Sequence, residues 1–105
     1  MPGQQRIGLG LLAGIALLGS GCGAFIARTK IVGAQTAVAS AQLAESDKKS
    51  PYEYTGALLY LEKAREEEAY GRFGAAIEFG GKAEELADKA KLNAATAEPD
   101  RAPEP

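Results

Sequence analysis

Apolar residues follow two different patterns along this chain. Ile7 to Leu18 is a nearly unbroken run of aliphatic and small residues, whereas beyond it the apolar positions recur every three or four residues, the spacing of one helix face. The first such segment, about 24–45, carries Ile31, Ala34, Val38, Ala41 and Ala44 as its stripe, flanked by Gln35, Gln42 and Glu45. A stripe made mostly of alanine packs closely but buries little area, so this helix should depend on neighbours for stability. Ser46-Asp47-Lys48-Lys49 then forms a polar break. Ser50-Pro51-Tyr52-Glu53 predicts a helix start: serine as cap, proline at the first helical position where no amide donor is needed, and glutamate placed to complete a capping box.

That second helix, 51–70, has Tyr54, Ala57, Leu58, Leu61 and Ala64 on one side and the charged residues Glu62, Lys63 and Arg65 to Glu68 on the other. Gly71-Arg72-Phe73-Gly74 ends it, and so short a connection returns the next helix antiparallel. The third helix, about 73–92, packs through Phe73, Ala76, Ile77, Ala83, Leu86, Ala87 and Ala90. Gly80-Gly81 in its middle costs about 2 kcal/mol of helix propensity, which implies either a close helix crossing or a local bend. Residues 94–105 are rich in Pro, Ala and charge and are expected to be disordered. The reading is all-α: a leader at 1–21, a small three-helix arrangement with an antiparallel hairpin at 22–93, and a tail.

The leader has a distinctive ending. Met1 to Arg6 is polar with one positive charge, the twelve-residue run from Ile7 follows, and Gly19-Ser20-Gly21-Cys22 closes it with small residues and the chain's single cysteine. A short basic start and an apolar core of about 7–15 residues are the marks of an export signal. The ending resembles the lipobox of bacterial lipoproteins, although Gly19 stands where an aliphatic residue is usual and Leu18 lies one place earlier. That resemblance implies that the Cys22 sulfur is joined to a diacylglycerol carrying chains such as palmitate, that the Gly21–Cys22 bond is cut, and that the new N-terminus is acylated. Gly23 follows the cysteine in place of the aspartate that retains many such proteins at the inner membrane, which implies the outer membrane, facing the periplasm.

A second reading stays open. Ile7 to Ala27 is about long enough for an uncleaved membrane-spanning helix. Six glycines between Gly8 and Gly23 weaken such a helix, and positive charge on both sides, at Arg6 and at Arg28 and Lys30, leaves its orientation unset.

Composition narrows the chemistry. With no histidine, His-based dyads and triads are excluded, and a single cysteine permits neither an intrachain disulfide nor a cysteine metal cluster. The net charge of −2 gives no basic footprint, so neither nucleic acid nor an anionic lipid surface is an evident partner. Glu66-Glu67-Glu68 points in different directions on a helix, so it cannot converge on a cation. No catalytic residue, metal, cofactor or small-molecule substrate is evident. Tyr52, Tyr54, Tyr60 and Tyr70 are the candidate partner-binding residues, read either as boundary packing or as an aromatic docking patch.

Pro51-Tyr52-Glu53-Tyr54, Leu61-Glu62-Lys63-Ala64-Arg65, Ala69 to Ile77 and Lys82 to Ala87 together resemble the domain-of-unknown-function family 4398. Its members are largely envelope lipoproteins or exported proteins with an Ala-rich helix and a helical hairpin. The turn is also similar to one tetratricopeptide unit, but a groove-forming array needs at least three and only one is present. The resemblance implies a non-enzymatic structural or interaction lipoprotein that self-associates or pairs with an envelope protein through its helices. The alternative is an inner-membrane accessory subunit of a secretion or transport complex, held by the uncleaved helix.

Overall fold

The computed structural model describes residues 2–97, with side chains described from Gly21 onward. Four helices follow one another: α1 (Pro2–Leu43), α2 (Ser46–Lys49), α3 (Pro51–Ala69) and α4 (Phe73–Thr96), and no strand occurs among the described residues. The all-α hairpin architecture expected from the sequence is present. Residues 98–105, most of the expected tail, lie outside the described residues, as do the side chains of the leader.

The helices run up, down and up. Gly23 lies against the Phe73 ring, Lys30 against Gly80, and Gly33 against Glu84, so α1 and α4 are parallel. Arg28 pairs with Glu68, and the Gln35 side-chain oxygen, in the amide orientation that its surroundings require, accepts from Arg65 Nε at 3.2 Å, so α3 runs opposite to α1. α4 is the central helix, packed along its length against both α1 and α3, which meet each other less extensively.

Alanine makes this arrangement possible. Ala27, Ala34, Ala57, Ala64, Ala76, Ala83, Ala87 and Ala90 are fully buried, and among the described residues only Ile31, Val38 and Leu61 add larger side chains to the buried core. A methyl group lets helix axes approach closely, but each contributes only about 0.8 kcal/mol of burial. Gly80 carries this furthest: a Cβ there would come within 3.2 Å of Lys30 Cγ and 3.6 Å of its backbone carbonyl carbon. Of the two outcomes open for Gly80-Gly81, α4 shows the close crossing within one continuous helix. Partly buried Tyr60 and Phe79 stack at 6.0 Å and cover the α3–α4 seam.

The ends of the helices show where local chemistry prevailed. α3 stops in a Schellman motif: Arg72 N donates to Glu67 O at 2.9 Å and Gly71 N to Glu68 O at 3.0 Å, with Gly71 at φ 75°. In place of the usual apolar contact, Arg72 faces the buried Glu67 carboxylate at 3.5 Å, and Lys63 reaches the same group at 3.5 Å. Glu67 thus continues the buried stripe of α3 as a paired charge. α1 ends through Glu45 in the left-handed region at φ 61°, a conformation in which L-residues are strained by about 1–2 kcal/mol.

Four sequence expectations are corrected. Asp47-Lys48-Lys49 is one helical turn, α2, instead of an irregular break, because Lys48, Lys49 and Ser50 amides all find carbonyls at Glu45 and Ser46. The reciprocal capping box does not form, since the Ser50 amide is taken by Ser46 O at 2.9 Å; the Ser50 hydroxyl instead donates to Glu53 Oε2 at 2.6 Å. α1 has no boundary near residue 24 and is helical from Pro2, as no proline or positive φ interrupts it. α4 continues to Thr96, three residues into the segment expected to be disordered, because Ala94 is buried one turn beyond Ala90.

Two measurable consequences follow from the polar end. Ser46 Oγ is fully buried with no hydrogen-bond partner. Ser46→Ala is expected to raise stability by about 1 kcal/mol, read as a higher urea midpoint, because it removes a dehydrated hydroxyl at no loss of packing. A lower midpoint would mean that the hydroxyl holds a bond in solution.

Glu53 is held below the ordinary carboxylate range, chiefly by the Ser50 hydroxyl and then by a backbone amide, against slight desolvation and with help from Lys89. A depressed carboxylate stabilises the fold at pH above its unfolded value and loses that contribution as the pH falls through its folded value. Acidification below the ordinary value of 4.5 should therefore weaken the bundle. Glu53→Gln should flatten this part of the urea-midpoint profile; an unaltered acid limb would show that the Ser50 contact does not persist in water.

Candidate functional site

Cys22 lies on α1 at the point where that helix first meets the hairpin. Gly21 has open space around its Cα, Cys22 is exposed, Gly23 already touches the Phe73 ring, and Ala27 is fully buried. The residues called for cleavage and lipidation, Gly21 and Cys22, are thus accessible and immediately precede the packed bundle. A cut between them would leave every buried contact described above in place.

Because α3 runs down and α4 runs up, the hairpin turn 70–72 lies at the same end as Cys22. Arg28 Nη2 and Glu68 Oε1 are 2.7 Å apart there, and Ala24, Phe25, Arg28, Glu68, Ala69 and Phe73 line one open groove. Phe25 and Ile26 are mostly exposed, as is Tyr70, whose ring carries the Arg72 guanidinium 5.3 Å from its centre. Sequence reasoning fixed on the thiol and missed this apolar and aromatic surround. Its signal was available: when the three long helices alternate in direction, the α3–α4 turn comes back beside the part of α1 that follows Cys22.

The four tyrosines do not form one patch. Tyr54 and Tyr60 are partly buried against the core, and Tyr60 also carries the Lys82 ammonium 5.5 Å from its ring centre. Tyr52 is exposed and shares an open groove with Thr55, Leu59, Tyr60 and Leu86 across α3 and α4. Tyr70 lies at the Cys22 end. Packing and exposure are therefore divided among them residue by residue.

Among the residues from Gly21 to Ala97, no group of three or more His, Cys, Asp or Glu side chains is placed to hold a metal, and no helical stretch there is long and apolar enough to cross a membrane. No protein-family model matches this chain, and neither a curated protein nor a solved structure shows significant similarity to it.

Proposed function

We propose that this chain is a non-enzymatic cell-envelope lipoprotein, anchored through an acylated Cys22 and using its helical bundle as a structural or protein-interaction module. With no matching family, the reading is carried by the residues themselves. The observation that carries it is the exposed thiol of Cys22 at the junction between the Ile7–Leu18 run and the first packed turn of the bundle.

The energetics fit an anchor of this kind. Each buried methylene contributes about 0.8 kcal/mol, so two or three long chains hold a protein stably where one is marginal. The likeness to lipoprotein processing, with Gly23 after the cysteine, supports the outer membrane, on its periplasmic side, as the location of the module. Its exposed residues at the far end of the bundle, Leu43, Tyr52 and Leu92, remain available to a helical partner or a second copy.

One observation favours the second reading, an inner-membrane accessory subunit held by an uncleaved helix: α1 is continuous from Pro2 through Cys22 to Leu43. Growing cells with an alkyne-bearing fatty acid separates the two. Label that stays on the chain after hydroxylamine treatment and fractionates with the outer membrane is expected; an unlabelled chain confined to the inner membrane would favour the alternative.

A further inference from the structure

The Cys22 end of the bundle brings exposed apolar groups and exposed arginines together. Phe25 is 73% exposed, Ile26 53% and Tyr70 69%, and all three lie within one helical turn or one hairpin turn of the groove that joins α1 to Phe73. The charges there are layered. Arg28 and Arg72 side chains are 63% and 66% exposed, whereas their partners Glu68 and Glu67 are only 17% and 8% exposed. In these two pairs the carboxylate lies underneath and the guanidinium faces outward, while Glu66, one turn before Tyr70, is half exposed and paired with Lys63 at 3.5 Å; this end thus offers two outward cations together with apolar and aromatic groups.

We propose that Phe25, Ile26, Tyr70 and Arg72 form a seat for an anionic bilayer surface, so that the bundle stands on the membrane from which its anchor emerges. The proposal rests on the membrane-anchored reading of the N-terminus. Its geometry follows from helix rise: at 1.5 Å per residue, Phe25 lies about 4.5 Å, Ile26 about 6 Å and Arg28 about 9 Å along the axis from Cys22. The polar layer on each side of a bilayer's hydrocarbon core is about 5–8 Å thick. Aromatic rings are favoured at that depth, and arginine stems can lie along it with their charge on headgroup phosphates. The Arg72 guanidinium over the Tyr70 ring joins both functions in one contact.

The opposite end also exposes apolar groups, at Leu43, Tyr52 and Leu92, but Leu43 is about 30 Å along α1 from Cys22. It cannot reach the same surface while the bundle stands upright. It therefore serves as the internal control.

The test uses the full chain as isolated from membranes, reconstituted in vesicles of phosphatidylethanolamine and phosphatidylglycerol. An environment-sensitive fluorophore is attached through Ala69→Cys, which leaves Tyr70 in place, or through Leu92→Cys. Ala69 and Leu92 are both exposed. The probe at 69 is expected to shift to the blue and lose most of its emission to headgroup-level quenching lipids, while the probe at 92 does neither. Phe25→Ser with Ile26→Ser should return the probe at 69 to water-like emission with unchanged helix content by circular dichroism.

Water-like emission at 69 in a chain whose N-terminal mass proves acylation would overturn the seat and leave the anchor reading intact. A blue shift that lipid quenchers do not touch would also overturn it, in favour of contact with a second copy. Quenching at 69 in a Cys22→Ser chain that still begins at Met1 would support the seat while showing that it does not need the acylated anchor.

Discussion

Ile31→Ala is expected to lower the unfolding free energy of the bundle by about 3 kcal/mol, a large loss for a protein of this size. Ile31 is the largest fully buried side chain among the described residues, and alanines make up most of the buried cluster it belongs to, with Ala27 and Ala34 one turn to either side of it on α1. In most cores a deleted side chain is partly replaced by neighbours that change rotamer. Alanine has no rotamer to change, so a core built mostly of alanine refills the cavity at Ile31 poorly, and the cost should not fall to the low end of the usual range. For domains of 60–100 residues each kcal/mol moves the melting temperature by about 4–8 °C, so a fall of about 12 °C or more is predicted from thermal circular dichroism of the full chain. A loss under about 1 kcal/mol would mean that the α1–α4 contact is not a stable feature of the protein in solution.

The second large effect concerns Cys22. Cys22→Ser removes the sulfur to which lipid is transferred while leaving size and helix propensity almost unchanged. A hydroxyl is far less readily ionised than a thiol, so serine is a weak substitute as a nucleophile toward a lipid donor. Fatty-acid labelling should vanish, and the chain should persist as a precursor that retains Gly21 and everything before it. Because Cys22 is exposed and serine is close to it in size, the substitution should leave the melting temperature of the bundle nearly unchanged. Labelling and size equal to those of the parent would remove the anchor from the account.

The contrast between these two variants separates fold from attachment. Ile31→Ala should weaken the bundle and leave acylation in place, since the lipid is added at a residue outside the core. Cys22→Ser should do the reverse.

The helical hairpin was legible because its ends are written in short-range chemistry. Ser50-Pro51 marks the start of α3 to the residue, and Gly71 ends it because a left-handed position there favours glycine. The alanine stripes were legible from spacing alone, and Gly80-Gly81 announced the close crossing with α1. What escaped depends on competition between neighbouring groups. Glu53 could not reach back to the Ser50 amide because α2, one turn upstream, already uses it. Glu67 reads as part of a solvated acidic run, yet the turn brings Arg72 over it and the helix brings Lys63, so its burial becomes tolerable only in the folded chain. Glu45 gives no sign of its left-handed backbone, which is imposed by the need to start α2 at once.

For the candidate site, the position of the thiol was plain and its surroundings were not. Phe25 and Ile26 look like a continuation of the apolar leader, and only the packing of Gly23 and Ala27 on the hairpin shows that the bundle begins there and leaves both side chains outside. Tyr70 likewise joined the other tyrosines by residue type. The fold assigns it to the opposite end from Tyr52.

The central claim is that the thiol at position 22 is the point of lipid attachment, and the mass of the N-terminal peptide from protein extracted out of native membranes tests it most directly. A peptide that starts at Cys22 and is heavier by a diacylglyceryl group, with or without a further amide-linked acyl chain, is expected. A peptide that starts at Met1, with Cys22 at the mass of an unmodified residue, would contradict it.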